Sequence, residues 1–242
     1  MNRIMKSGLL ACALALAAQP IFAQETAEKE YTGAPDPKSY GYTVLAVGLA
    51  TPITLPWGND WDVFGLDLNL LYSDCNKMYG IQLGGLANCA RLDMYGAQVA
   101  LGCNYANRNA YGLQVSLANV CNREQMGIFV DAVGVNRESS GLRADLIGSL
   151  CGESFYGLSV AGLASAVRED MWGWQLALGG TFARRVHGFQ TALLFNMTDE
   201  LRGAQLGIVN YASTCSAGFQ VGLVNMIMDN EVPVLPFFNC YF

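Results

Sequence analysis

The residue types most able to do chemistry are sparse in this chain of 242 residues. His187 is its one histidine, and a serine hydrolase would need that imidazole beside a nucleophilic hydroxyl. His187 directly precedes Gly188, however, in a slot that Tyr111 and Trp172 fill before other recurring glycines. We therefore interpret His187 as one of a set of structural rings and predict no catalytic residues.

The cysteines indicate neither a metal site nor a definite disulfide pattern. The chain has 8 of them, without a Cys-x-x-Cys pair or a Cys/His cluster, so we predict no zinc site and no cofactor. Cys12 would leave with a predicted signal peptide. Disulfides and small apolar packing both stay open for the other cysteines.

Four charged residues fall inside segments that are predicted to be strand cores: Asp67, Asp131, Arg143 and Asp145. The last three flank a predicted turn near 137–139 almost symmetrically, so they would meet across one hairpin. Such a cluster could line the constriction of a pore, or it could be a structural ion pair in a lumen.

Glutamines form a second regular set, two residues after a recurring glycine. They could be a row of ligand-binding groups, although glutamines beside glycine more simply satisfy hydrogen bonds on a polar face. The members of this row are Gln82, Gln98, Gln114, Gln175, Gln190, Gln205 and Gln220.

A short repeat positions all of these residues. Each unit has a glycine followed by an alternating segment, as in Tyr95-Gly-Ala-Gln-Val-Ala, and the glycines recur every 14 to 16 residues. Period-two alternation predicts strands, and polar stretches such as Thr198-Asp-Glu predict turns. The repeat glycines are Gly65, Gly80, Gly96, Gly112, Gly127, Gly141, Gly157, Gly173, Gly188, Gly203 and Gly218.

The two faces of the predicted strands differ in polarity. The four charges named above all lie an even number of residues from their repeat glycine, on the face that carries Gly and Gln. The opposite face is uniformly apolar, as a lipid-facing surface around a polar lumen requires. The pattern favours an all-β fold over residues 41–242, an antiparallel transmembrane β-barrel of about 12 strands built from repeats of 15–16 residues. The alternative is a β-solenoid, in which each repeat is one coil.

Composition and the N-terminus point to export. Hydrophobic residues make up 52% of the chain and charged residues 14%. Residues 1–23 have the positive start, apolar stretch and Ile21-Phe22-Ala23 end of a signal peptide, and residues 24–40 form a polar periplasmic tail or linker. The net charge of −6 would become −8 once Arg3 and Lys6 are removed, so we expect no nucleic-acid partner.

The repeats resemble those of bacterial surface-repeat proteins of the leptospiral type, which are built from Gly-x-Gln-Ile-Gly-Leu-Val-Asn units. The units Gly203 to Asn210 and Gly218 to Asn225 carry the resemblance, together with the end from Val232 to Phe242. The resemblance implies a location in the cell envelope and no known chemistry.

The sequence thus predicts an outer-membrane barrel with a structural or passive channel-like role and no catalysis. Its expected partners are outer-membrane lipid and, because the chain ends in the aromatic Tyr241 and Phe242, the barrel-assembly machinery. Small solutes are possible ligands. The alternative function is a surface-exposed β-solenoid that acts as a binding or adhesion module.

Overall fold

The computed structural model describes Ser39 and residues 41–51, 53–58 and 60–241. The predicted signal peptide lies outside the described residues, as does the tail apart from Ser39. The described elements are fifteen β-strands. They are β1 Gly41–Ala50, β2 Ile53–Leu55, β3 Trp61–Cys75, β4 Lys77–Gly84, β5 Ala87–Ala90, β6 Met94–Ala100, β7 Cys103–Ala106, β8 Ala110–Val115, β9 Ala118–Cys151, β10 Phe155–Ala161, β11 Ala164–Ala177, β12 Gly180–Ala192, β13 Phe195–Leu206, β14 Val209–Ile227 and β15 Val234–Cys240.

Successive repeats pair in parallel and in register. Gly65 lies opposite Gly80, Gly80 opposite Gly96, and Gly96 opposite Gly112, and the same pairing continues from Gly141 to Gly218. An up-and-down barrel would pair neighbouring repeats antiparallel, so the barrel prediction is wrong. The fold is a β-solenoid, which was the alternative.

Each coil contains two strand segments, which are separate strands near the N-terminal end and run together in long strands such as β9 and β14. In the coil of Gly80, β4 carries the glycine and pairs with β3 and β6, whereas β5 pairs with the far end of β3 and with β7. The second strand is as short as four residues, and it falls in segments that the sequence suggested were turns. Four residues are enough because parallel neighbours on both sides satisfy their backbone groups.

The ends of the solenoid depart from the repeat. At the N-terminal end, β1 pairs in parallel with β3 and also forms a hairpin with β2. At the C-terminal end, the aromatic strand β15 turns back and pairs antiparallel with β14. The terminal strand, whose aromatic residues predict an interaction with the barrel-assembly machinery, instead caps the last coil, as solenoids require.

Glycine is required where the coils are closest. Gly80, Gly96 and Gly112 have φ values between 129° and 137°, a region that other residues rarely adopt. A Cβ atom at Gly112 would lie 2.0 Å from the carbonyl oxygen of Gly96. The same contact recurs at every repeat glycine from Gly80 to Gly218, at 1.9 to 2.3 Å, and this set is the glycine column.

We expect Gly112→Ala to lower the free energy of unfolding by about 3 kcal/mol or more, because it combines a strained φ with a backbone clash. Gly152→Ala is the control, since Gly152 is a turn glycine without a positive φ, and it should cost less than about 1 kcal/mol. Urea unfolding followed by circular dichroism measures both. Equal stability of the two variants would contradict the close contact.

Candidate functional site

The predicted glutamine row lies inside the solenoid, where its amides bond to one another. Gln98 Nε2 donates to Gln82 Oε1 at 2.7 Å, and Gln114 Nε2 donates to Gln98 Oε1 at 2.6 Å. Gln125, which the row did not include, then donates to Gln114 Oε1 at 2.7 Å. Every amide in this ladder points the same way, and Gln82, Gln98, Gln114 and Gln125 are fully buried.

Two of the predicted charged residues terminate this ladder. At its donor end, Gln82 Nε2 donates to the Asp67 carboxylate at 3.2 Å, and Asn69 and Ser73 donate to the same carboxylate. At its acceptor end, Arg143 donates to Gln125 Oε1 at 2.7 Å. The Asp67 carboxylate thus accepts from the amide N–H that has no further glutamine to bond. The Arg143 guanidinium donates to the amide oxygen that no further glutamine reaches.

The rest of the glutamine row forms a second ladder. Gln220 donates to Gln205 at 2.7 Å, Gln205 to Gln190 at 2.8 Å, and Gln190 to Gln175 at 3.1 Å. Gln175 ends this ladder by donating to Ser165 Oγ at 3.2 Å.

Asparagines of the second strands form ladders that run the other way. Asn88 donates to Asn104 and Asn104 to Asn119, at 2.9 and 3.0 Å, and Asn119 then donates to Asp131 Oδ2 at 2.8 Å. Asn196, Asn210 and Asn225 repeat the pattern in the C-terminal half. The sequence reasoning missed the asparagines, although they follow most of the glutamines by five or six residues.

Asp131, Arg143 and Asp145 meet beside the shortest repeat, which runs from Gly127 to Gly141. Asp131 lies within that repeat, and Arg143 and Asp145 follow Gly141. Arg143 Nε lies 3.5 Å from Asp145 Oδ1, and both side chains are almost completely buried. Gly134 leaves the space that they need, since a Cβ there would lie 2.8 Å from the Arg143 guanidinium. Burial and then the adjacent Asp145 carboxyl together raise the pKa of Asp131 to about 8, although Arg143 and the hydrogen bond from Asn119 lower it.

These interior groups are therefore structural in the geometry that the structure shows. The ladders fill the middle of the coil, and the structure gives no support for a channel along the described residues. The remaining polar atoms of the glutamines and asparagines largely bond within the coil or to the next coil. The surface is where the chain has groups available for a partner.

The outward rows of the glycine-bearing strands are apolar from one end of the solenoid to the other. We call this surface the apolar face. It consists of residues one and three positions after each repeat glycine, such as Ile81 and Leu83, and all of them except Ala204 are at least partly exposed. None of these residues is charged, and Thr191 is the only polar one.

The turn that follows the apolar face, which in some coils is a bend within one continuous strand such as β3 or β9, carries an exposed leucine or isoleucine in ten of the coils. Backbone hydrogen bonds between successive turns, such as Leu86 N to Leu71 O and Ile208 N to Leu193 O, hold them in a line. Their exposed fractions lie between 41% and 74%. This leucine edge consists of Leu70, Leu86, Leu101, Leu117, Leu146, Leu163, Leu178, Leu193, Ile208 and Leu223.

The opposite turn collects the charges. Within the described part of the chain, every charged residue except Asp67, Asp131, Arg143 and Asp145 lies in or next to the turns that precede the glycine-bearing strands, or in the C-terminal turn beside them. Several pair with the next coil, as Arg91 does with Asp74 at 2.9 Å and Arg137 with Glu153 at 2.6 Å. We call this side the charged edge.

An aromatic column lies between the charged edge and the apolar face in two stretches, from Phe64 to Tyr111 and from Tyr156 to His187. In the other coils after Gly112 this position is Met126, Ser140, Arg202 or Ala217. Ring centroids are 4.5 Å apart for Phe64 and Tyr79, 5.0 Å for Tyr79 and Tyr95, and 5.1 Å for Tyr95 and Tyr111. In the second half, Trp172 lies 4.0 Å from His187 in a stacked arrangement. The one histidine is thus a ring of this column.

The sequence reasoning missed the leucine edge because it treated all turns as polar. A signal was available, since a leucine follows most repeat glycines by five or six residues, as Leu101 follows Gly96 and Leu163 follows Gly157. Only the structure shows that alternate turns of the chain lie on opposite edges.

The cysteines and possible metal ligands offer no competing site. All seven described cysteines are free, and burial raises the pKa of Cys121 and Cys151 to about 12. No group of three or more His, Cys, Asp or Glu residues that could hold a metal ion occurs in the described ranges. None of the described residues belongs to a helix with the length and apolarity to cross a membrane.

Comparison with family models, with curated proteins and with solved structures gave no match for this chain. The resemblance to leptospiral surface repeats stays a prediction.

Asp131 predicts a specific pH dependence of stability. Its pKa is raised from 3.8 to about 8 in the fold, so the folded chain keeps a proton that the unfolded chain loses. The contribution of this proton to the free energy of unfolding is fully present below pH 4. It is lost as the pH rises towards 8, by up to about 1.4 kcal/mol per pH unit. Urea unfolding at pH 5, 6.5 and 8 should show this loss, and Asp131→Asn should largely remove it.

Asp199→Asn, an exposed change at the charged edge, is the control and should leave the loss of stability intact. A wild-type loss that Asp131→Asn does not alter would contradict the assignment to Asp131.

Proposed function

We propose that this chain is an exported β-solenoid that acts as a binding module in the bacterial cell envelope. Its contact surface is the apolar face together with the leucine edge. One observation carries the proposal: a continuous exposed surface, ten leucine and isoleucine residues long at its edge, contains no charged side chain.

The size of this surface exceeds what a protein ordinarily leaves exposed. Ten inter-coil steps from Gly65 to Gly218 at about 4.8 Å each give a length of about 48 Å. Five residues of strand, from Tyr79 to Leu83, span about 13 Å, so the apolar face and the ring positions beside it have a projected area of about 600 Å², to which the leucine edge adds. The largest apolar patch on a typical monomer is about 300–600 Å², and larger ones mark interaction sites.

The interior supports a scaffold role. The amides and charges inside the coil are bonded to each other, so they hold the coils in register and are not offered to a ligand. We therefore expect no catalysis. The predicted signal peptide and the surface-repeat resemblance both favour export to the envelope.

The test compares two triple variants with equal changes in net charge. Leu101→Glu, Leu146→Glu and Leu178→Glu place three charges on the leucine edge. Arg123→Gln, Arg168→Gln and Arg184→Gln change exposed residues of the charged edge by the same −3. We expect the wild type and the arginine variant to co-sediment with isolated bacterial envelopes, and the leucine variant to do so at least tenfold less.

The comparison holds only if both variants keep the wild-type circular dichroism spectrum and melting temperature. Equal sedimentation of the leucine variant and the wild type would show that the apolar surface is not the contact surface. Fractionation of cells that express the full chain would test export, since recovery in the cytoplasm with residues 1–23 still attached would contradict it.

A further inference from the structure

We propose that the partner of this surface is one leaflet of a lipid bilayer, into which the leucine edge inserts with the solenoid axis lying parallel to the membrane. The inference deepens the proposed function and depends on it, since it identifies what the apolar face and leucine edge bind. Four features of the cross-section lead to it.

The first feature is the height of the apolar zone. From the aromatic column to the end of the glycine-bearing strand is about 13 Å, and the turn that carries the leucine extends a few ångströms further. Half of a hydrocarbon core of about 30 Å is about 15 Å. An edge-on solenoid would therefore fill one leaflet and place its aromatic column at the level of the headgroups.

The second feature is the order of residue types along that height. Exposed leucines at the bottom are followed by aliphatic and aromatic residues of the apolar face, then by stacked Tyr and Trp rings, and last by ion pairs such as Arg91–Asp74 and Arg137–Glu153. Tyr and Trp favour the membrane–water interface, whereas charged groups favour water. The gradient matches that of a leaflet.

The third feature is that both sides of the leucine edge are uncharged. On the second strands the outward residues next to the edge are small or apolar, as Ala87, Cys103 and Ala118 are in one half and Phe195 and Val209 in the other. A second copy of this chain or another flat protein surface could cover one side. A fluid leaflet covers both sides and the edge between them, which favours lipid over a protein partner.

The fourth feature is a groove of about 1050 Å³ where the apolar face meets the leucine edge. Its walls include Leu146, Leu178, Leu193, Val160 and Leu206, and Phe237 of β15 is part of its lining. Thr191 and Asp145 are the only polar residues in the lining, and the Asp145 side chain is directed inward to Arg143. A groove so poor in hydrogen-bonding groups suits an acyl chain and not a polar ligand.

The experiment uses protein-free vesicles of phosphatidylethanolamine and phosphatidylglycerol at a ratio of 3:1. In a flotation assay the purified mature chain should float with the vesicles. The Leu101/Leu146/Leu178→Glu variant should float at least tenfold less, and the Arg123/Arg168/Arg184→Gln variant should float within twofold of the wild type. Sedimentation velocity without lipid gives the oligomeric state of all three proteins.

The outcomes separate this inference from the proposed function. Loss of envelope binding in the leucine variant, with no flotation of the wild type on vesicles, would keep the binding surface but overturn lipid as its partner. A wild-type dimer that the leucine variant converts to monomer, again without flotation, would identify a second copy as the occupant. Flotation that the leucine substitutions leave unchanged would overturn the insertion of this edge.

Depth is measured with two proteins that each contain a single tryptophan. One keeps the native Trp172 and has the other tryptophans changed to Phe, whereas the other has all native tryptophans changed to Phe and carries Leu146→Trp. In vesicles whose acyl chains carry bromine at carbons 11 and 12, emission from the Leu146→Trp protein should be quenched at least twofold more than emission from Trp172. Equal quenching in the two proteins would contradict an edge-on orientation. If these variants do not fold, the flotation comparison, which keeps all native tryptophans, decides the matter.

Discussion

The contact between successive glycines of the glycine column is the constraint on which the rest of this structure depends. At these glycines φ is positive in nearly every coil, and the carbonyl oxygen of the glycine in the previous coil lies about 2 Å from where a Cβ atom would be. Only one register of the two strands places glycine against glycine in this way. Once that register is set, every residue lies on its counterpart in the next coil. The aromatic column, the leucine edge and the amide ladders are consequences of this stacking.

In-register stacking makes a polar interior stable. An amide buried alone would leave donors and acceptors unpaired, at a cost of about 1–3 kcal/mol for each group. Stacked on an identical amide, it donates to one neighbour and accepts from the other, so the unpaired groups occur only at the ends. Asp67 and Arg143 occupy the two ends of one glutamine ladder, and Asp131 ends an asparagine ladder. Asp67 and Arg143 thus have the sign that their two ends require.

Because the interior is occupied by hydrogen-bonded ladders and by apolar side chains such as Met78, Cys75 and Met94, most of the large aliphatic side chains are placed outside. This reverses the arrangement of an ordinary soluble protein, in which such side chains fill the core. The proposed insertion into a leaflet gives these side chains an apolar environment. It also agrees with the segregation of charges to a single edge, which neither the ladders nor the glycine column require.

The sequence by itself determined the glycine-bearing strands, their two-faced polarity, the repeat glycines and the interior position of Asp67, Asp131, Arg143 and Asp145 relative to the apolar rows. These features depend on neighbours in sequence and on a period of two, which can be counted along the chain. Strand direction depends on whether Gly80 faces Gly96 in parallel or antiparallel pairing, and a repeat of 15 or 16 residues permits both. Only the tertiary structure decided between barrel and solenoid, because the four-residue second strand gains its hydrogen bonds from the neighbouring coils and has little preference of its own. That same pairing decided that alternate turns gather as a charged edge and a leucine edge, and so where the chain presents its surface.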